Sequence, residues 1–221
     1  MIPPEHHGDC GASMEDRLDL SQRPSAPRDP LVNRDAKPVQ WMQETRTPLA
    51  AQPGKPLRDD YASARVATAN VLLCTEPLTG WRTLALSAHR TAGDWAHQLK
   101  HLLDACSPEA DKVLVVCDNL KPQKGASLYE AFAPPEARRR ARRLAIHYTP
   151  KQGSGWNIAE IALSVLTKPG LERRIPAIET WRQATTAWEH ERNATQTGVD
   201  WQCTTADARI RLKRLYPQYQ N

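Results

Sequence analysis

Apolar positions along this chain change period several times, and each change marks an element. Short extended runs come first: Pro38 to Leu49 around "VQWM", then Ala67 to Glu76 in "ATANVLLCTE", then "PLTGWRTLALS", with the turn-rich "AAQPGKPLRDD" between the first two. Such runs bounded by Pro, Gly and Asp predict strands joined by turns. The period lengthens in "TAGDWAHQLKHLLDAC", where Trp95, Leu99, Leu102, Leu103 and Cys106 recur at helical spacing. Thr91 stands as N-cap with Asp94 three residues on, predicting an amphipathic helix with a capping box. Val113–Cys117 is a continuous apolar run of strand length, and it delivers Asp118 at its end.

Beyond it, Ser127 is read as the cap of a short helix, Pro134-Pro135 as an interruption, and "EARRRARRLA" as its resumption; "LAIHYTP" predicts another strand. Ile158, Ile161, Ala162, Val165 and Leu166 recur at helical spacing, with Glu160 off their stripe. "IETWRQATTAWEHERN" and "TTADARIRLKRL" read as further helices, the last capped by Thr205. The order is β-β-β-α-β-α-β-α with C-terminal helical additions, an α/β fold in which a mixed central sheet carries packed helices. Residues 1–30, rich in Pro and charge, are read as a flexible leader, and residues 218–221 as a tail.

Composition narrows the class. At 221 residues and 40% hydrophobic content the chain can bury one main core. No segment approaches 18 consecutive apolar residues, and the five cysteines show no CxxC spacing. A membrane span, a thiolate zinc site and a disulfide framework are therefore not expected, and a reducing cytoplasm is. Charge is asymmetric: residues 1–117 hold 13 Lys+Arg against 15 Asp+Glu, residues 118–221 hold 17 against 10. The basic half is what a polyanion-binding surface requires.

Three acids stand out: Asp118 at a strand end, Glu160 in the following helix region, and Asp35 near the first strand in "LVNRDAKPVQW". Carboxylates gathered from separate elements repel one another unless a hard cation sits among them, so their convergence implies a divalent metal. Asp118 has a plain alternative as a turn residue, because Asp-Asn starts turns without chemistry. Asp59 and Asp60 are fallbacks for Asp35. His147 reads as a core histidine, and Trp181, Trp188 and Trp201 as core residues; Trp156 is a candidate for stacking on bases. The arginines of "EARRRARR" read as a solvated face.

From about Met14 to Pro217, through "KVLVVCDNL", "HYTPKQGSGWNIAEI" and "TTADARIRLKRLYP", the chain resembles the catalytic domain of bacterial insertion-sequence transposases of the DDE superfamily endonuclease group, relatives of mariner-like elements. The resemblance implies an RNase H-like fold over residues 31–217, cleaving DNA strands and transferring them. It implies Asp35, Asp118 and Glu160, spaced by 83 and 42 residues, as ligands of two Mg²⁺ ions, with Mn²⁺ as substitute, and Asn119 and Asn157 as neighbours that orient them. It also implies DNA as partner, with a second copy on the DNA, and a nucleoid-associated location. Lys151, Arg173, Arg174, Arg209, Arg211, Lys213 and Arg214 are the candidates for phosphate contact.

The chain departs from the family pattern at three places. Ala36 follows Asp35 where the family has Glu, Lys121-Pro122-Gln123 stand for Asn-Thr-His, and Gln152 to Asn157 replace His-Gly-Ser-Trp-Leu-Asn. Nothing in residues 1–34 reads as helix-turn-helix modules, so the catalytic half alone is expected. A catalytically silent, truncated remnant that only binds DNA is the alternative.

Overall fold

The computed structural model describes residues 8–44, 63–118, 124–149, 158–170, 177–213 and 216. Helix α1 (Gly8–Gln22) precedes strands β1 (Leu31–Glu44), β2 (Ser63–Glu76) and β3 (Trp81–Ser87). Helix α2 (Ala92–His101) runs into a π-helical turn at Leu102–Cys106 and leads to β4 (Val113–Cys117). Helices α3 (Ser127–Ala131) and α4 (Pro134–Arg142), strand β5 (Leu144–Tyr148), and helices α5 (Ile158–Gly170), α6 (Ile178–Thr195) and α7 (Thr205–Arg211) complete the order.

The sheet order is β3-β2-β1-β4-β5. β1 is antiparallel to β2 and parallel to β4, β2 is antiparallel to β3, and β4 is parallel to β5. Alternation along the strands sorts the side chains onto two faces. Val32, Cys74, Val113, Val115 and Cys117 meet Trp95, Leu99, Leu102, Leu103, Leu128 and Ala137 from α2, α3 and α4. On the other face Val39, Val71 and Leu73 pack under Ala159, Leu163 and Leu166 of α5 and Trp181 of α6, while Leu31, Leu114 and Val116 lie under Leu20 of α1. Because both faces are covered, β4 is apolar throughout and buried at every position.

Expectations for the N-terminal elements change. Residues 8–22, read as part of a flexible leader, form α1: Met14 and Leu18, one turn apart, are fully buried against Ala208 of α7. Met14, Leu18 and Leu20 are its buried large apolar residues among those described, too few to announce a strong apolar period. β1 begins at Leu31 rather than Pro38, because "LVN" pairs with Leu114–Val116 of β4. Pro38 then lies inside the strand, beyond the last β4 partner of Asn33, where the strand has β2 alone as neighbour. A residue without an N–H is tolerated on such an open side.

Caps follow the local chemistry. Thr91 and Asp94 form the expected capping box, with Asp94 N–H donating to Thr91 Oγ1 at 3.2 Å. α7 has the same device one residue earlier than expected, on Thr204 and Asp207. Ser127 is already inside α3, whose N-cap Ala126 offers no side-chain bond. α6 ends on Gln196 in left-handed conformation (φ 41°), and Val199 N–H donates to Pro77 O at 2.7 Å, tying the chain after α6 to the β2–β3 turn. Gly198 is needed there, since a Cβ would stand 2.1 Å from Leu78 O. Among the described residues no helix is long and apolar enough to cross a membrane.

Candidate active site

The site grows out of the two central parallel strands. Leu31 is level with Leu114 and Asn33 with Val116, so Asp35 and Asp118 each stand two residues beyond the last paired position, on the same face. The pleat sets this: residues two apart on a strand share a face, and equal offsets on neighbouring parallel strands bring side chains level. Asp35 is buried, with its Oδ1 accepting from Ala36 N–H at 2.6 Å. Asp118, half-buried, accepts from Thr149 Oγ1 at 3.1 Å, and Thr149 N–H donates to Cys117 O at 2.9 Å, so the residue after β5 fixes the residue after β4. Glu160 comes from the first turn of α5, which covers β1 and β2 on this face.

Asp35 feels the charges of both other acids. The carboxyl of Asp35 is pushed up to about 6, first by burial and then by the charges of Asp118 and Glu160, against the opposing Ala36 N–H and Arg34. A carboxylate that two others hold toward its protonated form is in the field a cation would relieve. Their donor atoms are all oxygens, as Mg²⁺ and Mn²⁺ prefer. Donor type and charge suit a hard divalent ion. Among the described residues, which include all three acids, no group of three His, Cys, Asp or Glu side chains stands where it could hold a metal ion, so the expected gathering of Asp35, Asp118 and Glu160 is not seen in full.

One participant escaped the sequence reading. Arg17 of α1 is 3% exposed; burial lowers its pKa to about 10, and Asp118 is the largest of the charges that oppose this. Its helix is held at that level by Asp16, which bonds His147 Nδ1 on β5 at 2.8 Å, and by Leu20 against Val116. His147, expected as a core histidine, is thus half-buried and bonded to a helix read as leader. No spacing rule points from Arg17 to Asp118, 101 positions later in the chain.

Other predicted residues fall variously. Arg209 makes two bonds of 2.8 Å to Glu15 of α1, which fixes α7 on α1; Arg211 and Lys213 are exposed on and just after α7. Trp181 is core as expected, Trp201 is half-buried, and Trp188 stacks against two arginines. Asn119, Asn157, Lys151, Arg173, Arg174, Arg214, Trp156, Asp59 and Asp60 lie outside the described residues.

Solved structures share this arrangement of sheet and helices. A Mos1 transposase paired-end complex with the left transposon end aligns over 86% of this chain and 57% of its own, at 12% identity and TM-score 0.56. The Mos1 strand transfer complex aligns over 86% and 56% at 15% identity (TM-score 0.55), and a Mos1 mariner paired-end complex with Mn over 86% and 58% at 16% (TM-score 0.53). At such identities the likeness establishes the RNase H-like fold. The chain spans under three fifths of the length of these neighbours. Curated protein sequences gave no significant match. The sequence profile of the DDE superfamily endonucleases matches residues 30–182, a span that holds Asp35, Asp118 and Glu160 and every strand of the sheet. This chain belongs to the DDE superfamily endonuclease family.

Proposed function

We propose that this protein is the catalytic domain of a DDE transposase, cutting DNA strands and transferring them with Asp35, Asp118 and Glu160 as the ligands of two Mg²⁺ ions, Mn²⁺ substituting. The observation that carries the reading is the placement of Asp35, buried and level with Asp118 on the neighbouring strand, with its carboxyl raised first by burial and then by the charges of Asp118 and Glu160. Two ions bound there would activate the attacking oxygen and neutralise charge on the leaving one. Thr149 orients the carboxylate of Asp118, and the buried Arg17 offsets part of its charge. DNA is the partner, with a second copy of the chain on it, in the cytoplasm and on the nucleoid; the basic half of the chain supplies the attraction.

A second reading, DNA binding without catalysis, is favoured by Lys121-Pro122-Gln123, which replace the family's Asn-Thr-His directly after the second acid. A nicking assay on element-end DNA with Mg²⁺ or Mn²⁺, run beside Asp118→Ala, separates the two. Metal-dependent nicking by the wild type, lost in the variant, is expected. Equal nicking by both removes the metal-site claim, and DNA binding without nicking selects the second reading.

A further inference from the structure

Helix α1 crosses the sheet face that carries the acids, and its course is fixed at two points. Leu20 packs on Leu31 of β1 and on Leu114 and Val116 of β4, while Asp16 bonds Nδ1 of His147, the β5 residue level with Val116. The helix therefore runs back along β4, with its N-terminal part toward the C-terminal end of the strand. Arg17 shares the sheet-facing side of α1 with Leu20 and Ser21, three and four residues on, and is 3% exposed. Three residues of helix rise about 4.5 Å, and two residues of strand about 6.6 Å. One step back along α1 from Leu20 thus matches one step forward along β4 from Val116. That step brings Arg17 to Asp118, which stands two residues past Val116 on the same face.

A guanidinium taken out of water needs negative charge to answer it. Of the two acids that act on Arg17, Asp16 is half exposed and already holds His147, whereas Asp118 is the larger counter-charge. Thr149 Oγ1 donates to Oδ1 of Asp118, which orients the carboxylate but leaves its charge in place. We propose that Arg17 is a positioning residue for strand cleavage, a resident counter-ion that holds the Asp118 carboxylate at the end of β4 and competes with divalent ions for it. Positive charges that face one carboxylate repel each other, so Arg17 sets the metal affinity of the site below what its acids alone would give. Helix α1 then belongs to the catalytic unit. It is kept in place by α7, through Met14 and Leu18 against Ala208 and through Glu15 bound by Arg209. This inference rests on the metal-site reading above.

The first half of the test needs no metal. Urea midpoints of the full chain are measured in EDTA for the wild type, Arg17→Met, Asp118→Asn and the double variant, a cycle that isolates the coupling of the two side chains. Arg17→Met is expected to lower the midpoint in the wild-type background, where Asp118 loses its counter-charge, and to change it far less beside Asp118→Asn. A single variant that fails to fold while the double variant folds is the same result in stronger form. Equal shifts in both backgrounds overturn the proposal and leave Arg17 a packing residue. The second half is a titration with Mn²⁺, followed by the electron paramagnetic resonance of the free ion. Arg17→Met, or Arg17→Gln if the first does not fold, is expected to bind Mn²⁺ on the order of tenfold more tightly than the wild type, a change of the size that groups around a metal site produce, with Arg17→Lys close to wild type. Unchanged or weaker binding by the folded neutral variant overturns the competition with metal. Failure of the wild type to bind Mn²⁺ overturns the metal-site reading, an outcome kept apart from the coupling because the cycle is run in EDTA.

Discussion

Asp35 sits where function and stability oppose each other. Its folded pKa, about 6, lies above the ordinary 3.8, so the folded chain binds this proton more tightly than the unfolded chain does. Stability from this group is therefore full below pH 3.8 and is lost as pH rises through 6. At about 1.4 kcal/mol per unit, the penalty for the ionised group at pH 8 is on the order of 2–3 kcal/mol. Asp35→Asn, which cannot ionise, should accordingly be more stable than wild type by up to that amount at pH 8 in EDTA, with the gain gone at pH 4, while nicking is lost. Urea unfolding at the two pH values checks it, and a variant no more stable at pH 8 would show that burial and the neighbouring acids do not hold Asp35 toward its protonated form. Asp118 and Glu160 stood out in the sequence as candidates, the first as the polar end of an apolar run, the second as an acid off an apolar stripe. Arg17 was not, because a lone arginine in a charged segment looks the same whether solvated or buried.

Elements built on a dense local pattern were readable, and those built on few distant contacts were not. α2 was visible whole, because its apolar stripe and its capping box both lie within 16 residues. α1 was invisible, since what makes it a helix in place is Met14 and Leu18 against Ala208, with Glu15 bound to Arg209 almost two hundred residues away. Its packing is nonetheless tight. Leu18→Ala should cost about 2–5 kcal/mol, as for other fully buried leucines, and should also weaken nicking by loosening Arg17, which faces the charge of Asp118. Thr91→Ala, which removes one exposed cap, should cost only about 1 kcal/mol. Thermal or urea unfolding ranks the two, and the reverse order would mean that α1 is dispensable.

Across the whole molecule, the site and the fold are coupled through charge. Mg²⁺ that binds the folded chain alone raises stability by about 2.7 kcal/mol at a hundred times its Kd. Millimolar Mg²⁺ should therefore raise the Tm of the wild type, with the rise abolished in Asp118→Asn; equal shifts in both would place the ion elsewhere. By itself, the sequence determined the strands, most helices, the basic half and three candidate acids, because period, turn residues and charge are local properties that survive without a fold. Only the tertiary structure decided that Asp35 and Asp118 stand level on neighbouring strands, that a buried Arg17 faces the charge of Asp118, and that Arg82 and Arg192 share one tryptophan. Those relations depend on strand order and register, which follow from how distant segments exclude water together rather than from any one segment's pattern.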